Sequence, residues 1–290
     1  MSIRAAVALG VPGAALVALP LITAGTSMRL LATLFAFAVM AQAWNLVGGF
    51  GRAPDLGSAA FFGLGAYVTA ILSARAAVPA VASILAGGVL AAMLASVLGS
   101  ILLRGRWDIF AIGTLSASFA LRELATAWTA LTGGTGGISL PPSAADSRLT
   151  YYALLALAAA LPLASQRLRP AVGQGPTPSK LRLSRTLPLY SAAAALIGLV
   201  GGIEATSFTF IEPGTVFDLG ITIELLAMVL LGGAGTITGP MLGACLLTAA
   251  SELLDAYAPT AHATVLGLVI LGALLLLPRG LVGLLRQTER

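Results

Sequence analysis

The chain has 290 residues, 58% of them hydrophobic and only 9% charged, against about 25% charged in an ordinary soluble domain. A water-soluble fold has no place for that much apolar surface, because its own exterior must be partly polar. The net charge of +5 lies in short loops between apolar runs, with no basic stripe interleaved with aromatics, which also excludes a nucleic-acid-binding protein.

A membrane-crossing helix needs about 20 predominantly apolar residues. Ten segments fit: 6–24, 29–49, 56–73, 79–103, 109–131, 149–165, 187–206, 219–234, 239–254 and 263–279. They predict an all-α, polytopic transmembrane helical bundle, a single domain over residues 1–290 set in a lipid bilayer. The first segment follows Arg4 and ends in small residues near Ala24, which also fits a cleaved leader loosely. The topology works better with the segment kept.

The second segment carries Asn45 near its end and runs into Gly48-Gly49-Phe50-Gly51. The third and ninth are rich in glycine, so a full span and a broken or re-entrant helix are both open for them. The fifth contains Arg122 and Glu123, charges that are costly in lipid and tend to face a bundle interior. Adjacent residues on a helix point in different directions, so the two find different partners. Snorkelling to the interface is the alternative. The Gly-rich stretch from Thr132 to Gly137 looks like a phosphate loop but lacks the lysine, and tight turns account for it.

The stretch 166–186 holds Arg167, Arg169, Lys180, Arg182 and Arg185 and no acid. The eighth segment carries Glu224 and ends in Gly232-Gly233-Ala234-Gly235. The two glycine clusters make a weak internal echo. Gly48 and Gly232 are 184 apart, whereas the Leu-Gly-Ala triplets at Leu64 and Leu242 are 178 apart. Repeated halves of transporters place Gly-interrupted helices at matching points near the substrate path.

Cytoplasmic loops of membrane proteins collect lysine and arginine. Placing 166–186 in the cytoplasm and alternating puts both termini inside, with twelve basic residues within and Arg29, Arg75 and Arg148 outside. Trp107 and Tyr190 inside, and Trp128, Tyr151 and Tyr152 outside, fall near segment ends, as an interfacial aromatic belt would.

No hydrolytic, redox or metal-binding constellation is visible, and no cofactor is implied. His262 is the single histidine and Cys245 the single cysteine. Without a Walker A motif, any ATP coupling has to come from another chain.

At Ala43-Trp44-Asn45-Leu46, Leu56-Gly57, Ala59 to Tyr67, Phe110-Ala111-Ile112, Thr114-Leu115, Arg122, Trp128 and Leu131 to Thr135, the sequence resembles a known family. The likeness continues through Glu224 to Gly233, Gly239-Pro240, Leu242-Gly243-Ala244 and Pro278 to Leu281. The family is the LivM-like inner-membrane permeases of branched-chain amino-acid ABC importers. The resemblance implies a ten-helix permease, not itself an enzyme, that forms half of a translocation path. It implies a homologous permease subunit, two cytoplasmic ATPase subunits and an external substrate-binding protein as partners. Branched-chain or other apolar amino acids are the implied cargo, with urea or short amides as the alternative. Asn45, Ser58, Arg122, Glu123 and Glu224 are the expected path-lining or helix-locking residues.

The sequence also departs from the family. Its loop holds three prolines and two glycines between Arg167 and Lys180, so no long coupling helix is expected there. Ser58 stands where the family often has histidine and Phe119 where it often has an acid; Glu123 follows one turn later. A stand-alone channel or carrier, and a degenerate non-transporting subunit, are the rival readings.

Overall fold

The computed structural model describes residues 26–140, 147–172, 179–208, 210–257, 264–265, 267–268, 271–272 and 280–285. The segment 6–24, His262 and most of 263–279 lie outside the described residues.

Helix α1 (Thr26–Trp44) continues directly into a π-helical turn, Asn45–Phe50. Single π turns inside helices are rare and recur at functional sites. A short extended stretch leads to α2 (Ser58–Arg75), followed by α3 (Ala80–Leu102) and α4 (Trp107–Ala127). A one-turn helix α5 (Thr129–Thr132) and a 3-10 turn lead into β1 (Ile138–Ser139). The long helices α6 (Ser147–Val172) and α7 (Ser179–Ser207) come next. Strand β2 (Phe210–Ile211) then pairs antiparallel with β1, Ile138 opposite Ile211. Helices α8 (Pro213–Val216), α9 (Leu219–Gly232), α10 (Gly239–Tyr257) and α11 (Gly280–Leu285) complete the described chain.

Among the described residues, seven helical stretches are long and apolar enough to cross a membrane, and Gly239–Leu254 is a shorter apolar helix. They coincide with the second to ninth predicted segments. On α3, Val81, Leu85, Val89, Met93, Val97 and Ile101 are all exposed. Their uniform spacing of four residues sets them in one continuous row that winds partly around the helix. An apolar stripe of that length facing outward is unsustainable in water and ordinary in lipid.

Within the bundle, small residues let backbones cross closely, which is the main packing device available where lipid is as apolar as leucine. Gly65 of α2 lies against the Gly198 backbone of α7, and Gly198 packs on Ala91 of α3. Larger side chains fill the remaining space. Tyr190 is 1% exposed and packs edge-on to both Phe61 and Phe110, and Tyr151, fully buried, packs edge-on to Phe35. These two tyrosines belong to the core rather than to an interfacial belt, because neighbouring aromatics are available inside the bundle.

The bundle has two distinguishable ends. At one lie the β1–β2 ribbon, α5 and α8, where Arg75 Nη1 donates to the Ala130 carbonyl at 2.6 Å. At the other lie Arg52, the Arg104–Arg106 turn and the α6–α7 connection. That connection is shorter than the predicted loop 166–186. α6 runs to Val172 and α7 starts at Ser179, so Arg167 and Arg169 stand on α6 and Lys180, Arg182 and Arg185 on α7. Pro170 falls near the end of α6, where a missing N–H costs one bond instead of breaking a long helix. Residues 173–178 lie outside the described residues.

Candidate functional site: two broken helices meet at the basic end

The glycine clusters that end the second and eighth predicted segments are brought into contact, and Asn45 joins them. Its Oδ1 accepts from the Gly235 N–H at 2.8 Å and its Nδ2 donates to the Thr236 carbonyl at 2.8 Å. Asn45 is fully buried at the first position of the π turn. Gly235 belongs to the turn between α9 and α10 and has φ +72°, a conformation glycine adopts without steric cost. One amide side chain therefore satisfies the backbone of a helix break from the other half of the chain. Thr236 closes the same turn: its Oγ1 donates to the Gly233 carbonyl and accepts from the Gly239 N–H.

The glycines at this junction are short of space. A methyl group at Gly49 would meet Asn45 Oδ1 and lie 2.6 Å from the Gly235 nitrogen. One at Gly232 would meet the Gly239 carbonyl, and one at Gly48 the Trp44 ring. One at Gly51 would lie 2.5 Å from the Val47 carbonyl oxygen, and Gly280 of α11 packs on the Gly233 backbone.

Beside this junction sits a second buried polar group. Asp55 is 3% exposed in the stretch between the π turn and α2. Its carboxylate accepts from the Gly57 N–H at 3.0 Å and from Ser58 Oγ at 2.9 Å. This is an Asx-type turn, in which the side chain bonds the backbone two residues on. It starts α2, with Ser58 at the first helical position. Trp44 Nε1 donates to the Asp55 carbonyl at 2.8 Å, and Leu56 N–H donates to Thr114 Oγ1 of α4 at 3.0 Å. The Ala59 N–H donates to Thr222 Oγ1 of α9. Desolvation pushes the Asp55 carboxyl up from its ordinary value, opposed by the hydrogen bonds from Gly57 and Ser58. The Tyr190 hydroxyl lies close to the same carboxyl but meets no hydrogen-bond geometry.

The other predicted residues lie elsewhere. Arg122 is half-buried on α4 near the ribbon end, with its guanidinium near Gly214 of α8. Glu123 is exposed on the same helix, next to exposed Leu124 and one turn from exposed Phe119. The pair diverges as their adjacency predicts. Glu224 is half-buried on α9. Arg167 and Arg185 are exposed at the basic end. Among the described residues no group of His, Cys, Asp and Glu is arranged to hold a metal ion.

Sequence reasoning missed Asp55, although Asp55-Leu56-Gly57-Ser58 ahead of an apolar run is a helix-start signature. It also missed Glu204, which lies near the ribbon end of α7 inside an otherwise apolar segment.

An all-helical bundle with outward apolar faces and satisfied helix breaks inside defines a polytopic membrane transport protein. The chain belongs to the family described as branched-chain amino acid transport system / permease component, whose model matches residues 26–165 and 185–278. It is an integral, multi-pass protein of the inner membrane. It resembles the high-affinity branched-chain amino acid transport system permease protein LivM of Escherichia coli, 25% identical over 296 residues, covering 86% of this chain and 68% of the relative. The protein of the same name from Salmonella typhimurium is 24% identical over 316 residues, covering 93% of this chain and 73% of the relative. No solved structure matches the chain.

Proposed function

We propose that the chain is one permease subunit of an ABC importer for branched-chain or other apolar amino acids. The observation that carries this is the family match across both halves of the bundle. As a permease component it works with other parts of such a transporter. The finer assembly proposed is a heterodimer with a homologous permease, two cytoplasmic ATPases that hydrolyse the ATP, and an external binding protein. The charge bias supports a cytoplasmic basic end, with both termini inside.

In this reading, ATPase closure opens the bundle to each side in turn. Arg167, Arg169, Lys180, Arg182 and Arg185 provide the ATPase-facing surface at the α6–α7 turn. The junction of Asn45 with Gly235 and Thr236 locks the two broken helices near the same end.

The test is co-expression with the permease and ATPase subunits encoded beside it. A stable complex whose ATP hydrolysis and uptake respond to an apolar amino acid is expected. Uptake that survives ATP depletion and collapses with the proton gradient would instead establish a secondary carrier.

A further inference from the structure

A cavity of about 360 Å³ opens near the ribbon end between α1, α7, α8 and α9. That volume lies within the range of about 300–1,000 Å³ typical of small-molecule sites. Among the described residues its wall carries one cation and one anion, Arg29 from the start of α1 and Glu204 from the last turn of α7. Arg29 is near enough for its charge to act on Glu204, yet the two do not pair within salt-bridge distance. The Glu204 carboxylate has no hydrogen bond within the described residues; its backbone carbonyl accepts from the Phe208 N–H. Deeper in, the wall turns apolar, with Phe37, Met40, Phe62 and Ile221. Met40 lies eleven residues below Arg29 on α1, roughly 16 Å along the helix.

A charge left unpaired near a membrane interior is costly unless it meets a partner. Two opposite charges held apart at the mouth of an apolar slot match a ligand that carries both signs at one end and a hydrocarbon at the other. We propose that this cavity receives a zwitterionic apolar amino acid, with Arg29 taking the α-carboxylate and Glu204 the α-ammonium. The aliphatic side chain then points toward Phe62 and Met40. The arrangement rejects amides and urea, which lack the charges, and polar amino acids, whose side chains would be desolvated without partners. This inference deepens the importer reading and rests on it for the identity of the cargo.

The test uses the assembled transporter in proteoliposomes. The chain has a single cysteine, so a Cys245→Ser background carrying Thr33→Cys, on the cavity wall, gives one reporter thiol in this chain, whose labelling is read on its own band after the subunits are separated. L-leucine is expected to slow maleimide labelling of that thiol, whereas leucinamide and 4-methylpentanoate, each lacking one charge, are expected to protect far less. Arg29→Gln and Glu204→Gln should each raise the leucine concentration needed for protection about tenfold, the loss expected for one charge-assisted contact. Arg29→Lys and Glu204→Asp should restore most of it. Labelling indifferent to leucine in a complex that still accumulates leucine overturns the site and leaves the importer reading standing. A complex that neither accumulates leucine nor is protected by it overturns both. Equal protection by leucine, leucinamide and 4-methylpentanoate overturns the two-charge recognition.

Discussion

Asn45 and Gly235, 190 residues apart in the chain, are joined by a 2.8 Å hydrogen bond from the Gly235 N–H to Asn45 Oδ1. The same amide donates to the Thr236 carbonyl, so both of its polar atoms are used. A tight turn buried between helix ends leaves backbone groups that find no water there. Asn45 supplies the missing partner, which explains why a fully buried position holds an asparagine.

Replacing Asn45 with alanine removes two hydrogen bonds and leaves the Gly235 N–H and Thr236 carbonyl unmet. A loss of about 2–4 kcal/mol is expected. Thermal unfolding of the purified complex should fall markedly, with uptake falling alongside it. An unchanged melting temperature would show that the junction is not held by this side chain.

Gly49→Ala should be worse than its size suggests, because the added methyl enters the space between Asn45 Oδ1 and the Gly235 nitrogen. Overpacking of that kind costs about 1–3 kcal/mol or more. Gly136→Ala is the control, since nothing lies within 4 Å of a methyl placed there. Comparing the folded yield of the two variants in detergent separates crowding at the junction from a general intolerance of lost glycine.

Asp55 gives a pH dependence whose sign follows from burial. Its folded-state carboxyl is raised above the ordinary value, so the native state holds a proton that the unfolded chain has already released. Its contribution is fully present below the ordinary carboxylate value and is lost as pH rises through the raised one. Asp55→Asn keeps an acceptor for the Gly57 N–H and cannot ionise. It should flatten the decline in stability above the ordinary carboxylate range, measured as melting temperature against pH. A decline identical to that of the unmodified protein would place its origin elsewhere.

Arg167 and Arg185 are exposed where the proposed ATPase contact falls. The double reversal Arg167→Glu with Arg185→Glu should leave folding intact, since exposed charges contribute little to stability. It should weaken co-purification of the ATPase several-fold, and more so at low salt. Undiminished recovery of ATPase would remove these arginines from the contact.

Composition and hydropathy determined by themselves that this is an α-helical membrane protein, and they located every helix from α1 to α10 that is long enough to matter. The reason is physical: a lipid-facing helix must advertise its apolar length locally, residue by residue. The charge bias likewise marked the basic end, because it reads short loops. The sequence also exposed the two glycine clusters and Asn45, but as separate marks 184 residues apart. Their contact was decided only by the packing of α1 against α9 and α10, since a hydrogen bond between distant segments leaves no local pattern. For the same reason the sequence could not show that Tyr151 and Tyr190 are core residues, that Glu123 faces outward while Arg122 turns toward α8, or that Arg29 and Glu204 share one cavity. Periodicity tells which residues lie along a helix; the neighbours a helix acquires tell which of its faces is inside.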